Sequence, residues 1–291
     1  MMRYNKEFIM GFSQHVNNGD IMWKIALSMT ATFPLGIIKS IEIAKKYNFE
    51  GLEIIVEPPN VILEALDNSL RQKIRKLSED YDLTLFVHAP FYNVNIASLN
   101  RDIRHVSEKL LLKTIVFASD IGAKIVVVHP GLRFFPGEKF PQLVYSAFTE
   151  TMFTCVEVAK DLDIQIALEN RANTIDIGKT PEELLKLLEL INFPKNVGIA
   201  FDTAQAQLVM NPVEFYKKIA RYVIHAHIRD SPKNVDYMLA VGDGEIDFQS
   251  LLKEFAKNHY SGALVLEVGN MEHALISRER LLQIIRNLNI S

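Results

Sequence analysis

The sequence predicts a closed (β/α)8 barrel, the TIM-barrel architecture, and three observations carry that prediction. Strand-like and helix-like patterns alternate eight times with no low-complexity linker between them. Six of the strand candidates run out onto a His, Asp or Glu: LFVHA at His88, VVVHP at His129, IALEN at Glu169, IAFDT at Asp202, HAHIR at His227 and LVLEV at Glu267. In the last of the three, the acids share a strand face with small residues, as a narrow barrel interior requires.

The elements follow in order. The first strand, 23–29, is WKIALSM, and a helical pattern at 35–47 comes after it. Gly51 opens the second strand, 51–57 (GLEIIVE), which leads to a helical stretch at 61–80. Strand 83–89 (LTLFVHA) precedes helix 101–121, and Gly122 marks the hand-over to strand 124–130 (KIVVVHP). Helix 140–161 leads to strand 164–170 (IQIALEN). Thr180-Pro181-Glu182-Glu183 supplies an N-cap, a first-turn proline and early acids for helix 181–192, before strand 197–203 (VGIAFDT). Asn211-Pro212 starts helix 212–220 in the same way, ahead of strand 223–230 (VIHAHIRD). Helix 247–258, Gly262, strand 263–269 (ALVLEVG) and helix 275–288 complete the eighth unit.

Alternation separates the two strand faces. Gly198, Ala200 and Asp202 oppose Val197, Ile199 and Phe201; Gln165, Ala167 and Glu169 oppose Ile164, Ile166 and Leu168; Ala263, Val265 and Glu267 oppose Leu264, Leu266 and Val268. The alternative, an open doubly wound sheet, lacks its glycine-rich phosphate fingerprint after the first strand, where SMTATFP stands.

Composition bounds the function. The chain has 291 residues, 48% hydrophobic and 23% charged, enough for one large core, and residues 1–20 precede the barrel, 21–291, as an N-terminal extension. A net charge of −3 with no Lys/Arg run speaks against nucleic acid or an anionic membrane as partner. The single Cys155 leaves no internal disulfide and fits a reducing compartment. Residues 1–20 show no signal-peptide core, and no apolar stretch is long enough to span a bilayer, so a cytoplasmic protein is expected; a homo-oligomer stays open.

Glu169, Asp202, His227 and Glu267 form an oxygen-rich donor set with one imidazole, which suits Mn²⁺, Mg²⁺, Co²⁺ or Zn²⁺. His88 and His129 either hold a second ion bridged by Glu169, with nitrogen donors favouring zinc, or serve as pocket contacts. For Glu169, Asp202, His227 and Glu267, ion pairing without metal is the plain alternative, although no Arg or Lys precedes these four in their strands. His225, one layer below His227, reads as a hydrogen-bonded interior residue. Phe33, Phe91 and Tyr92 sit on rim loops as packing or pocket walls. Gly242-Asp243-Gly244 reads as a shaped turn.

At these residues the chain resembles the xylose isomerase-like TIM barrels, through HAPF and NIAS around His88, AKIVVVHPG at His129, IALEN at Glu169, VGIAFDTAQA at Asp202, HAHIRD at His227 and GDGEIDF at 242–248. That superfamily holds sugar and sugar-phosphate isomerases and epimerases and the endonuclease IV type of abasic-site nuclease. Resemblance to its ketose epimerases implies one divalent ion on Glu169, Asp202, His227 and Glu267, with Glu169 and Glu267 as base and acid in proton transfer through a metal-stabilised enediolate. It also implies substrate contacts at Gln205, Lys233 and Asp236. Resemblance to the endonuclease IV type implies zinc at His88 and His129 as well. Its third zinc would need ligands where Gln205, Asp236 and Met238 stand, and Glu57 occupies a place where a DNA backbone would prefer a cation. The expected function is a metal-dependent isomerase or epimerase of a small sugar, sugar phosphate or related hydroxy-carbonyl compound. The alternatives are a zinc-dependent phosphodiesterase with a degenerate third site, and a non-catalytic barrel that binds a metabolite or a protein.

Overall fold

Eight short parallel strands pair in chain order, and the last returns to the first. They are β1 (Ile25–Ser28), β2 (Gly51–Ile55), β3 (Thr84–His88), β4 (Ile125–Val128), β5 (Gln165–Glu169), β6 (Val197–Asp202), β7 (Val223–Ile228) and β8 (Leu264–Leu266) in a computed structural model that describes residues 23–288. Because β1 is paired with both β2 and β8, the sheet has no edges, and the open-sheet alternative is excluded. The expected extension, 1–20, lies outside the described residues.

Ten helices connect and surround the described strands: α1 (Ile37–Lys46), α2 (Asn68–Asp80), α3 (Arg101–Asp120), α4 (Phe135–Lys139), α5 (Pro141–Asp161), α6 (Pro181–Leu190), α7 (Thr203–Gln207), α8 (Pro212–Ile219), α9 (Phe248–Lys257) and α10 (Met271–Asn287). The caps expected at Thr180 and Asn211 form, each accepting from backbone N–H groups of the first turn with proline just inside. The expected helix 61–80 is instead a 3-10 turn at Leu63–Ala65 followed by α2, because the Asp67 carboxylate caps the Leu70 N–H and starts the helix afresh. The last helix starts earlier than expected, at Met271, because Asn270 caps it. Helices α4 and α7 are additional to the sequence expectation.

Two apolar layers hold the barrel. Ile166, Leu168, Ile199, Phe201, Leu264 and Leu266 point outward into the main core beneath the helices. Ala26, Phe86, Ile125, Val127, Ala167, Ala200, Ala263 and Val265 fill the interior as a separate cluster. The division of faces read from alternation is the observed one.

Gly51 shows how tight that interior is. A Cβ there would lie 2.9 Å from the Thr84 carbonyl and 3.0 Å from both the Ala26 Cβ and the Phe86 ring. Gly51→Val is therefore expected to cost about 1–3 kcal/mol through overpacking. A lower urea midpoint at unchanged denaturant slope would show it, and an unchanged midpoint would contradict the packing account.

Among the described residues, no helix is long and apolar enough to cross a membrane.

Candidate metal centre

All six strand-end side chains arrive at the C-terminal rim. His88, Glu169 and Asp202 close β3, β5 and β6, His227 is the penultimate residue of β7, and His129 and Glu267 follow β4 and β8 directly. One donor atom each from Glu169, Asp202, His227 and Glu267 lies within 4.8 Å of the others, and the same holds for His88, His129 and Glu169. Glu169 joins the two groups. Its Oε1 lies 3.1 Å from His227 Nδ1, and its Oε2 lies 2.7 Å from His129 Nε2 and 3.3 Å from His88 Nε2. The His88 Nδ1 donates to the Ala89 carbonyl at 2.8 Å, which turns Nε2 toward Glu169.

Local structure aims these groups. Asp202 caps α7: its Oδ1 accepts from the Gln205 N–H at 2.7 Å. The Asn170 side chain clamps the Asp202 backbone at both its N–H and its carbonyl. After His129 the chain turns at Gly131, with φ of 127°, where a Cβ would come within 2.8 Å of Asn95 Oδ1. Phe91 covers the two rim imidazoles, its ring centroid 5.2 Å from His88 and 4.9 Å from His129. Glu57 holds that loop by accepting from the Phe91 and Tyr92 N–H groups at 2.6 and 2.8 Å.

The structure brings charges to the site beyond the expected set. Glu53 of β2 is fully buried, 2.8 Å from His225 Nε2 and 3.1 Å from His227 Nε2. Arg229 binds Asp202 at 2.9 Å, Asp236 at 2.7 Å and Glu267 at 3.3 Å. Arg171 lies 3.5 Å from Glu169 and 4.0 Å from Asp176. Both arginines follow a ligand by two residues, on the same strand face by alternation, and that alternation is the signal that could have found them. Glu53 shares a face with Gly51 by the same rule. His225 is an interior hydrogen-bonded residue, as expected.

The expected substrate contacts fall in different places. Gln205 is buried beside the site with its amide engaged at both ends, Oε1 accepting from the Ala172 N–H at 2.9 Å and Nε2 donating to Asp236 at 2.7 Å. Asp236 is bound to Gln205 and Arg229. Lys233 stands exposed on the loop between β7 and α9, and among the described residues it forms no hydrogen bond or ion pair. The Gly242-Asp243-Gly244 segment is a shaped turn. The buried Asp230 carboxylate accepts from the Gly242 and Ile246 N–H groups.

The charge balance fits a cation. Glu53, Glu169, Asp202 and Glu267 confront only the guanidiniums of Arg171 and Arg229, which leaves a surplus of negative charge that protonated histidine or a divalent ion must neutralise. Among the described residues, the buried Oε2 of Glu267 accepts no hydrogen bond, although the Arg229 charge stands 3.3 Å away. Burial pushes Glu267 up to about 7, against the opposing His227 and Arg229 charges. Burial would also raise Glu169, but the Arg171 charge and the hydrogen bonds from His129 and His227 outweigh it and hold the carboxyl well below its usual range. Burial works to lower His227, yet the charges of Glu53 and Glu267 and its hydrogen bonds keep it well above its ordinary value. Burial and then Arg171 bring His129 down to about 3, so its ring is neutral and donates Nε2–H to Glu169.

A pH dependence follows. The protons that His227 and Glu267 hold too tightly must leave before a cation binds. Affinity for Zn²⁺ or Mn²⁺ is therefore expected to rise with pH through about 7, where Glu267 ionises, and to go on rising while His227 stays protonated, by up to roughly tenfold per unit for each proton displaced. Titration calorimetry at several pH values would check this, and a flat affinity would contradict it.

The comparisons with known proteins agree with the architecture. The pattern of the family described as "Xylose isomerase-like TIM barrel" matches residues 41–288. An uncharacterized protein of Methanocaldococcus jannaschii is 30% identical over 270 residues, which are 91% of this chain and 90% of that one. A solved structure titled a D-tagatose 3-epimerase-like protein superposes with a TM-score of 0.83 at 30% identity, covering 91% of this chain and 98% of its own. A "Probable endonuclease 4" of Staphylococcus carnosus is 32% identical over 152 residues, 50% of this chain and 48% of its own. The family match runs from within α1 to the end of α10 on a chain that closes into the same barrel, and so the protein belongs to the xylose isomerase-like TIM-barrel family.

Proposed function

We propose that this chain is a metal-dependent epimerase or isomerase of a small sugar, sugar phosphate or related hydroxy-carbonyl compound. The observation that carries the reading is the pair Glu169 and Glu267. Their carboxylates flank His227 Nδ1 at 3.1 and 3.8 Å, and their surroundings drive them to opposite protonation states. Glu169 is held ionised and suits a base; Glu267, raised to about 7 before a cation binds, gains and loses a proton easily near neutral pH and suits the group that exchanges one at the second face. Glu169 would take the proton from a carbon next to a carbonyl, and Glu267 would return one to that carbon from the other face. A divalent cation on Glu169, Asp202, His227 and Glu267 would supply Lewis-acid stabilisation of charge developing on substrate oxygen. Arg229 holds the Asp202 carboxylate at 2.9 Å, and Phe91 shields the imidazole side of the rim from water. The likeness to a D-tagatose 3-epimerase-like protein supports a ketose as the first substrate to try.

The test is deuterium incorporation. Protein loaded with Mn²⁺, Co²⁺ or Zn²⁺ and incubated in D₂O with ketoses and sugar phosphates is expected to label the carbon next to the carbonyl of one of them. Loaded protein that labels none would overturn the reading.

Phosphodiester cleavage is the second reading, favoured by the His88, His129 and Glu169 donor group and by the half-length likeness to endonuclease 4. Against it, Asp236 is bound to both Gln205 and Arg229, and Gln205 also to the Ala172 N–H, where a third cation would need free ligands. Nicking of an abasic duplex by zinc-loaded protein would favour this reading over the first.

A further inference from the structure

We propose that Glu53 is a positioning residue, whose buried carboxylate on the barrel floor fixes the His227 ring so that Nδ1 is the nitrogen offered to the metal. This rests on the reading of Glu169, Asp202, His227 and Glu267 as the metal site. Glu53 stands in the middle of β2, below the rim, and is 0% exposed. Among the described residues, its side chain meets no lysine or arginine; its polar partners are two imidazoles. A carboxylate held in such a place is costly unless strong donors face it.

The His227 Nε2 lies 3.1 Å from each Glu53 oxygen, and its Nδ1 faces Glu169 Oε1 at 3.1 Å and Glu267 Oε2 at 3.8 Å. A neutral imidazole carries one N–H. With that hydrogen on Nε2, the ring donates to Glu53, and the Nδ1 lone pair faces the rim. Nδ1 also faces a carboxylate, so it is the cation at the rim that decides: bound between Nδ1 and Glu169 it takes the Nδ1 lone pair, whereas the opposite tautomer would leave the Nε2 lone pair against Glu53 with no cation between them. Glu53 is itself oriented, because its Oε2 also accepts from His225 Nε2 at 2.8 Å, and the His225 ring rests against Phe86 with centroids 4.9 Å apart. The chain Phe86–His225–Glu53–His227 thus runs from the packed interior to the rim.

A rival arrangement uses the same atoms. Donors of Glu53, His225 and His227 lie within 4.8 Å of one another and could enclose an ion of their own. His227 would then have to give up both ring protons to serve ions on its two sides. Acting as the hydrogen-bond acceptor, Glu53 requires only one deprotonated nitrogen.

The experiment uses Zn²⁺ as probe, with stoichiometry and affinity from calorimetry and the His227 tautomer from ¹⁵N imidazole spectra. In the zinc-loaded wild type, His227 is expected to carry its proton on Nε2. Glu53→Gln, whose amide can keep one oxygen toward both N–H groups but removes the charge and turns an NH₂ toward His227 Nε2, is expected to bind the same number of ions about 10–100-fold more weakly and to lose that single tautomer. The wild-type tautomer decides the point even if the variant does not fold: a proton on Nδ1 would overturn the proposal. Unchanged affinity and tautomer in folded Glu53→Gln would overturn it too. Two ions in the wild type with one lost from the variant would make Glu53 a ligand instead. Wild type that binds no zinc would remove the rim site itself, and the role of Glu53 with it.

Discussion

Turnover by Glu169→Gln is expected to fall by about 10²–10⁴-fold, the usual contribution of a positioned general base, and its metal content should fall with it. Glu169 is the residue on which both donor groups converge. Its Oε1 faces His227 and Arg171, and its Oε2 faces His88 and His129. An amide offers only one acceptor in place of two, so any assignment of its ends turns an N–H toward partners that require an oxygen. Deuterium exchange on the substrate that labels, with elemental analysis of the same sample, checks both parts. Full exchange activity in the variant would remove the proposed base.

Glu267→Gln is expected to separate turnover from metal. Turnover should again fall by about 10²–10⁴-fold, because the amide neither gives nor takes the proton at the second face. Metal should remain bound, more weakly, because Glu169, Asp202 and His227 still offer three donors. Burial, and then the charges of Glu169 and Asp202, push the Glu267 carboxyl upward, so the neutral amide is also easier to hold in that place and the variant should fold. Complete loss of metal with this substitution, or full turnover without the carboxylate, would contradict the division of roles between the two glutamates.

Much of this site was legible in the chain because barrel geometry is periodic. Each rim donor ends or directly follows a short apolar run, and alternation puts Ala167 below Glu169, Ala200 below Asp202 and Val265 below Glu267. Attention to strand ends hides Glu53, which sits mid-strand. Yet Gly51-Leu52-Glu53 carries the same two-residue signal, and a carboxylate on an interior face is as informative as one at the rim. Arg229 and Arg171 lie just past the strand ends, and their pairing weakens the argument that buried acids without preceding cations demand a metal. What remains is a charge imbalance rather than an absence of cations. Helix α7 was readable from Asp202 followed by Gln205 at the capping interval. The rim loops were not readable. Glu57 binds backbone 34 and 35 residues away, and Gln205 reaches Asp236 across 31, distances over which no local pattern carries information. Lys233 has no local signal for its orientation, and its exposed position gives it no tie to the cluster.

The central claim is that Glu169, Asp202, His227 and Glu267 together hold a divalent cation. The most direct measurement is metal content per chain, by elemental analysis of protein purified without chelator or affinity-tag metal, for the wild type beside Asp202→Ala. Asp202 is the informative choice because it belongs to the four-residue set and not to the His88, His129 and Glu169 group. The account predicts one Mn²⁺, Co²⁺ or Zn²⁺ per wild-type chain that Asp202→Ala loses; a second zinc that survives the substitution would belong to His88 and His129. A wild-type chain without metal, or an identical metal content in folded Asp202→Ala, would contradict it.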